Sequence, residues 1–181
     1  DAESLEAEHA GEAPLAYVER VTRAKLHAAR LRLAARGLPA APILCADTTV
    51  ALGRRIFGKP RDAAHATAML GRLSGRTHRV ITAIVLASGA DEWHACSTST
   101  VRFGAIGPLR IERYVERGEP FGKAGAYAIQ SEAAGWIERI EGSYSGIMGL
   151  PLFETARLLE CAGIETSPAP AAPRSADRRD L

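Results

Sequence analysis

Apolar and polar residues alternate along this chain with two different periods, and the switches between them mark out its elements. From Leu15 to Arg36, Tyr17, Val21, Ala24, Ala28 and Leu31 recur at helical spacing, while Arg20, Arg23, Lys25, Arg30, Arg32 and Arg36 fill much of the rest. This predicts an amphipathic helix, stopped by Gly37 and Pro39. Ahead of it, residues 1–14 hold Asp1, Glu3, Glu6, Glu8 and Glu12 with no Lys or Arg, and read as a loop leading into the helix. Pro42 to Val50 is an apolar run ending in polar groups, which reads as a buried strand with a functional C-terminal edge. Gly53 to Gly58 predicts a turn and a second short strand. Asp62 is placed to cap a helix containing Ala66, Met69, Leu70 and Leu73, ended by Gly75.

Residues 78–87 are rich in β-branched side chains and predict a strand. Residues 92–103 change to period two, with Trp93, Ala95, Ser97, Ser99, Val101 and Phe103 on one side, and Ser88 to Asp91 fits the hairpin between them. Pro108 to Arg117 reads as a short amphipathic helix closed by Gly118. Gly122 to Gly149 is dense in glycine, with a short strand expected at 135–140. Pro151 opens a last helix through Leu158, Leu159 and Cys161. Helices mixed with parallel-type and hairpin-type strands point to an α/β or α+β domain over residues 1–165. Residues 166–181 hold three prolines, three arginines and almost no large apolar group, and are expected to form a disordered tail.

Composition narrows the function. With 181 residues, 46% apolar and 24% charged, the chain can bury a core without disulfides or metals. A net charge of +2 argues against nucleic-acid binding by bulk charge. No apolar run approaches the roughly 18 residues of a membrane span. Cys45, Cys96 and Cys161 lie far apart with no C-x-x-C pair, so neither a zinc knuckle nor a thioredoxin-type site is indicated. Sparse cysteines without a signal peptide fit a cytoplasmic location. The chain starts at Asp1 rather than Met, which is not expected to be a natural beginning.

Five segments carry candidate chemistry. Asp47, Thr48 and Thr49 put a carboxylate and two hydroxyls at the end of a hydrophobic strand, where α/β sheets bind ligands. Such a carboxylate binds a divalent cation, takes a proton from water, or simply caps a turn. Gly58-Lys59-Pro60 holds a lysine in a tight loop, either as a point charge for a phosphate oxygen or as a solvated turn residue. Ser74 to His78 offers hydroxyls, an arginine and a histidine, for phosphate or for its own loop; His78 has no partner at metal-ligand spacing. Lys123 to Gln130 sets small residues around a lysine, a tyrosine and a glutamine whose amide can read the edge of a base. Tyr127 there either stacks on a base or packs, with packing favoured. Ser143 to Leu152 reads as a glycine-bounded turn into the last helix, whose N-terminus could attract an anion. There is no G-x-x-x-x-G-K-[ST], G-x-G-x-x-G or G-x-S-x-G, so a P-loop ATPase, a dinucleotide-binding dehydrogenase and a serine hydrolase are poorly supported.

In this order the segments Ala46-Asp-Thr-Thr-Val50, Gly58-Lys-Pro60, Leu73-Ser-Gly-Arg-Thr-His78, Gly118-Glu-Pro120, Lys123-Ala-Gly-Ala-Tyr127 with Gln130, and Gly149-Leu-Pro-Leu152 resemble the Maf family of nucleotide pyrophosphatases. The resemblance implies an α/β fold related to the inosine triphosphate pyrophosphatases, with a mixed central sheet flanked by helices and a cleft between two lobes. It implies hydrolysis of nucleoside triphosphates to the monophosphate and pyrophosphate, assisted by a divalent metal, Mg²⁺ or Mn²⁺. The 123–130 segment resembles the branch acting on dTTP and UTP, although Ala128 and Ser131 stand where glycines are common. Carried onto this sequence, Asp47 matches the general base and Thr48 and Gln130 match positions linked to substrate choice. Lys59 and Lys25 match lysines of the cleft, and Lys123 is taken as a further substrate contact. Asp47 and Glu3 are the residues considered for the metal. Relatives usually begin with a strand and a Ser-Pro-Arg loop that grips the phosphates, and no Ser-Pro-Arg precedes Asp47. A homodimer is left open, and the alternative reading is a non-catalytic nucleotide or protein binder linked to septum-formation control.

Overall fold

The computed structural model describes residues 5–166. In chain order the elements are α1 (Pro14–Ala35), β1 (Ile43–Leu52), β2 (Arg55–Phe57), α2 (Ala63–Leu73), β3 (Thr77–Ser88), β4 (Asp91–Phe103), α3 (Pro108–Glu116), β5 (Ile137–Glu141), α4 (Tyr144–Met148) and α5 (Leu152–Cys161). Two 3₁₀ turns, Ala124–Ala126 and Glu132–Trp136, precede β5. The strands form one sheet in the order β2-β1-β3-β4-β5.

β3 is the middle strand and is buried almost throughout, because both of its faces are covered. On one face Ile81 and Ala83 meet Tyr17, Val18 and Val21 of α1, and Val85 and Ala87 meet Leu26. On the other face Ile84 and Leu86 meet Leu158 of α5, while Val80 joins the largest apolar cluster, built from α2, α3 and the 3₁₀ turns. The α/β class is therefore as expected. The pairing is not: the mixed sheet gives way to antiparallel pairing at all four described interfaces. The reason lies in the connections. α2 and α3 pack on each other at one end of the sheet instead of crossing it, so the chain re-enters the sheet at the end it left.

The local signals act as read. Asp62 accepts from the His65 amide at 2.7 Å and caps α2, and Pro108 opens α3. Gly89 turns the β3–β4 hairpin at φ 60°. The buried stripe of α1 departs from the expected one: it runs Tyr17, Val18, Val21, Thr22 and Leu26, while Leu31 is 59% exposed. Leu26 already packs on Ala87, next to the end of β3, so the later turns have no sheet beneath them. Of the expected 166–181 tail, all but Thr166 lies outside the described residues, as does Glu3.

One feature of the sheet prepares the site. β2 pairs with β1 only at Val50, Ala51 and Leu52. Among the described residues, Ile43 to Thr49 of β1 pair on one side alone, with β3. No helix among the described residues is long and apolar enough to cross a membrane.

Candidate active site

Successive side chains of a strand point to opposite faces. Asp47 therefore points toward α1, and Thr48 toward α4. A cleft of about 320 Å³ wraps the one-sided edge of β1 and takes in both. Lys25, Asp47, Thr48, Lys59, Lys123 and Gln130 all line it, so six residues spread over more than a hundred positions of sequence meet in one place.

On the α1 side, four charges form a chain. Lys25 Nζ donates to Asp47 Oδ1 and, at 3.0 Å, to Glu6 Oε1. Lys59 Nζ donates to the two Glu6 carboxylate oxygens at 3.0 and 2.8 Å. Burial pushes the Asp47 carboxyl above its ordinary value, and the Lys25 ammonium only partly offsets this. Burial also pushes Glu6 up, but Lys59 and Lys25 outweigh it and hold Glu6 below the usual range. Lys25 is itself destabilised by burial, yet Asp47 and Glu6 together keep it firmly protonated. Asp47 is thus a carboxylate with more proton affinity than a surface aspartate, as a base working near neutrality requires.

The sequence alone does not single out Glu6. Its segment is held by α1: Tyr17 Oη donates to the Glu6 carbonyl at 2.9 Å, and Arg20 donates to the Ala7 carbonyl at 2.8 Å and to Glu12. The Arg20 guanidinium holds the Glu12 carboxyl at about 2. Burial, with the charges of Asp47 and Glu6 behind it, pushes the Tyr17 phenol up to about 12. The available signal was complementary charge, an acid-only lead-in beside an arginine-rich helix.

On the other side, Thr48 Oγ1 lies 2.8 Å from Thr82 Oγ1, and Thr82 Oγ1 donates to the Gly146 carbonyl at 2.7 Å. Ile147, Met148 and Gly149, from α4 and its C-terminal cap, complete this wall. The sequence predicts only a turn where α4 forms, because five residues carry no full hydrophobic period.

The third wall is the 123–130 segment. Gly125 N donates to Gly58 O at 3.0 Å and ties this segment to the Lys59 loop. Gly125 and Ala126 take φ 70° and 64°, a left-handed pair over β1. Lys123 donates to the Glu119 carbonyl, and Glu119 Oε2 lies 3.7 Å away. Tyr127 packs, as favoured, with its ring edge-on to Phe103 at 4.8 Å and its hydroxyl 2.7 Å from His78 Nε2. His78 is buried, and desolvation pushes it down to about 4. The Ser74–His78 segment does not line the cleft. Two of its polar groups are used within the fold, Ser74 Oγ accepting from Ile106 N at 2.8 Å and His78 Nε2 pairing with the Tyr127 hydroxyl.

Among the described residues, no group of three His, Cys, Asp or Glu side chains is arranged to hold a metal ion. The donor set still suits a hard cation. Asp47 and Glu6 bring two carboxylates onto one ammonium in the cleft, and Mg²⁺ is usually held by one or two carboxylates together with substrate phosphates.

A family profile described as Maf-like protein matches residues 1–162. The chain belongs to the Maf family. This Maf chain is 58% identical over 165 residues to a dTTP/UTP pyrophosphatase of Albidiferax ferrireducens, covering 91% of itself and 82% of that relative. It is 61% identical over 166 residues to a dTTP/UTP pyrophosphatase of Burkholderia pseudomallei, with 91% and 79% covered. It is 60% identical over 164 residues to a dTTP/UTP pyrophosphatase of Cupriavidus metallidurans, with 91% and 82% covered. The Maf match runs through β1, the Lys59 loop, the 123–130 segment and α4, the elements that wall the cleft.

Proposed function

We propose that the chain hydrolyses dTTP and UTP to the nucleoside monophosphate and pyrophosphate. The observation that carries this reading is the buried Asp47 carboxylate paired with Lys25 in a cleft that Lys59 also reaches through Glu6. The relatives' names supply the substrate class.

Asp47 takes a proton from the water that attacks the α-phosphorus. A new oxygen–phosphorus bond forms as the α–β bridging bond breaks, and pyrophosphate leaves with the bonding pair. Lys59 and Lys25 face the negative charge that grows on the phosphate oxygens. Both are on hand in the resting cleft, held by Glu6 and Asp47. A divalent cation, Mg²⁺ or Mn²⁺, would be held by Asp47 and Glu6 and supplies further neutralisation of the triphosphate when bound. Gln130 offers an amide donor and acceptor to the base. Three free cysteines accord with a reducing compartment, and we place the activity in the cytoplasm.

Pyrophosphate release from each nucleoside triphosphate, with Mg²⁺, with Mn²⁺ and without metal, tests the reading. Turnover is expected with dTTP and UTP, and Asp47→Asn is expected to remove most of it while nucleotide binding persists. A folded chain that releases pyrophosphate from none of them overturns the reading. Full turnover by Asp47→Asn removes Asp47 from the role of base.

A further inference from the structure

The hydroxyls behind Thr48 fix a direction that the sequence alone does not show. A threonine hydroxyl has one proton to donate and lone pairs to accept with. Thr82 is buried, and its Oγ1 contacts two oxygens, Thr48 Oγ1 at 2.8 Å and the Gly146 carbonyl at 2.7 Å. A carbonyl cannot donate, so the Thr82 proton goes to Gly146. The proton between the two threonines therefore belongs to Thr48. Gly146 cannot drift away from this bond. Its amide donates to Ser143 Oγ at 3.0 Å, and a Cβ built on it would lie 3.0 Å from Ser97 Oγ.

Thr48 is left with acceptor lone pairs and no proton for a ligand. Phosphate oxygens are themselves acceptors, so this side of β1 is unsuited to the triphosphate. The two lysines that suit it lie on the Asp47 side. A ligand group that meets Thr48 must donate. The sugar 3′-hydroxyl is common to UTP, dTTP and CTP and separates none of them, but the N3–H of uracil and thymine is a donor that cytosine lacks. We propose that Thr82, which touches no substrate, is a positioning residue. It makes Thr48 an obligate acceptor for the pyrimidine N3–H, and so favours UTP and dTTP over CTP.

The inference rests on the pyrophosphatase reading, and the experiment separates the two. Steady-state kinetics are measured with UTP, CTP and 3-methyl-UTP, which keeps the uracil carbonyls but has no N3–H. The wild-type chain is expected to prefer UTP over both. Thr82→Val removes the hydroxyl at constant shape and lets Thr48 turn its proton toward the ligand. The preference over CTP in kcat/KM is then expected to narrow by about tenfold, through KM rather than kcat, because the cytosine N3 lone pair can now accept from Thr48, while the preference over 3-methyl-UTP, which has no acceptor at N3, is kept. Thr82→Ser, which keeps the hydroxyl, is expected to restore it. If Thr82→Val does not fold, Thr48→Val takes its place; it removes the acceptor itself, so both preferences are expected to narrow. A folded Thr82→Val chain that hydrolyses UTP with its preference over CTP intact overturns the inference, as does a folded Thr48→Val chain with both preferences intact. A wild-type chain that releases no pyrophosphate from UTP overturns the activity reading itself.

Discussion

Replacing Gly125 by alanine should unlock the wall of the cleft, and the structure gives the size of the effect. Gly125 stands at φ 70°, directly over Val50 of β1. A Cβ there would lie 2.9 Å from Val50 Cγ2 and 3.0 Å from Val50 Cβ and Cγ1, closer than unbonded carbons pack. The left-handed backbone adds about 1–2 kcal/mol for a residue with a Cβ. Forcing a methyl into a filled site adds about 1–3 kcal/mol. Reduced freedom of the unfolded chain returns about 0.4–1 kcal/mol. The net loss is about 2–4 kcal/mol, or roughly 5–15 °C in Tm for a chain of this size. Ala126, at φ 64° next door, shows that the fold accepts one Cβ in this conformation, so the Val50 contact should dominate. Urea melts of Gly125→Ala, Val50→Ala and the double variant test this. Once Val50 is trimmed to alanine, both Cγ clashes go and only its Cβ, at 3.0 Å, is left to give way, so the loss on Gly125→Ala should shrink toward the backbone penalty of about 1–2 kcal/mol. An equal loss in both backgrounds, or a Gly125→Ala chain as stable as wild type, refutes the reasoning.

Two further outcomes follow from the charges. Lys25→Met removes the ammonium that lowers the Asp47 carboxyl, so Asp47 stays protonated to higher pH and the acidic limb of the kcat profile should move upward; an unmoved or downward limb contradicts the pairing. His78 falls from 6.5 to about 4 on folding, so between these values only the unfolded chain takes up the proton. Wild-type stability should therefore drop by roughly 3 kcal/mol as pH falls through that window, and melts of His78→Gln should lack this component.

Much of the fold was legible because its signals are local. The β-branched run at 78–87 appears as β3, and the period-two run at 92–103 appears as β4 with its expected inward face. The pairing sense was not legible, because it depends on α2 lying against α3, a contact that neither helix announces. Lys59 and Gln130 could be picked out as residue types able to hold a phosphate or read a base, and the fold brings both to the cleft. Glu6 could not, since its role depends on Arg20 and Tyr17 reaching back across the lead-in. The donor direction at Thr48 depends on a carbonyl far along the chain and has no sequence signature at all.

The pairing of the cleft lysines has a consequence for how a nucleotide arrives. Lys25, Lys59 and Lys123 each already face a carboxylate, that of Asp47, Glu6 and Glu119 respectively. Seen from a distance these pairs are dipoles rather than a positive field, and dipoles exert little pull beyond a Debye length of about 8 Å. A free triphosphate anion is therefore not steered in by them. Attraction to these lysines begins only when they exchange partners at contact.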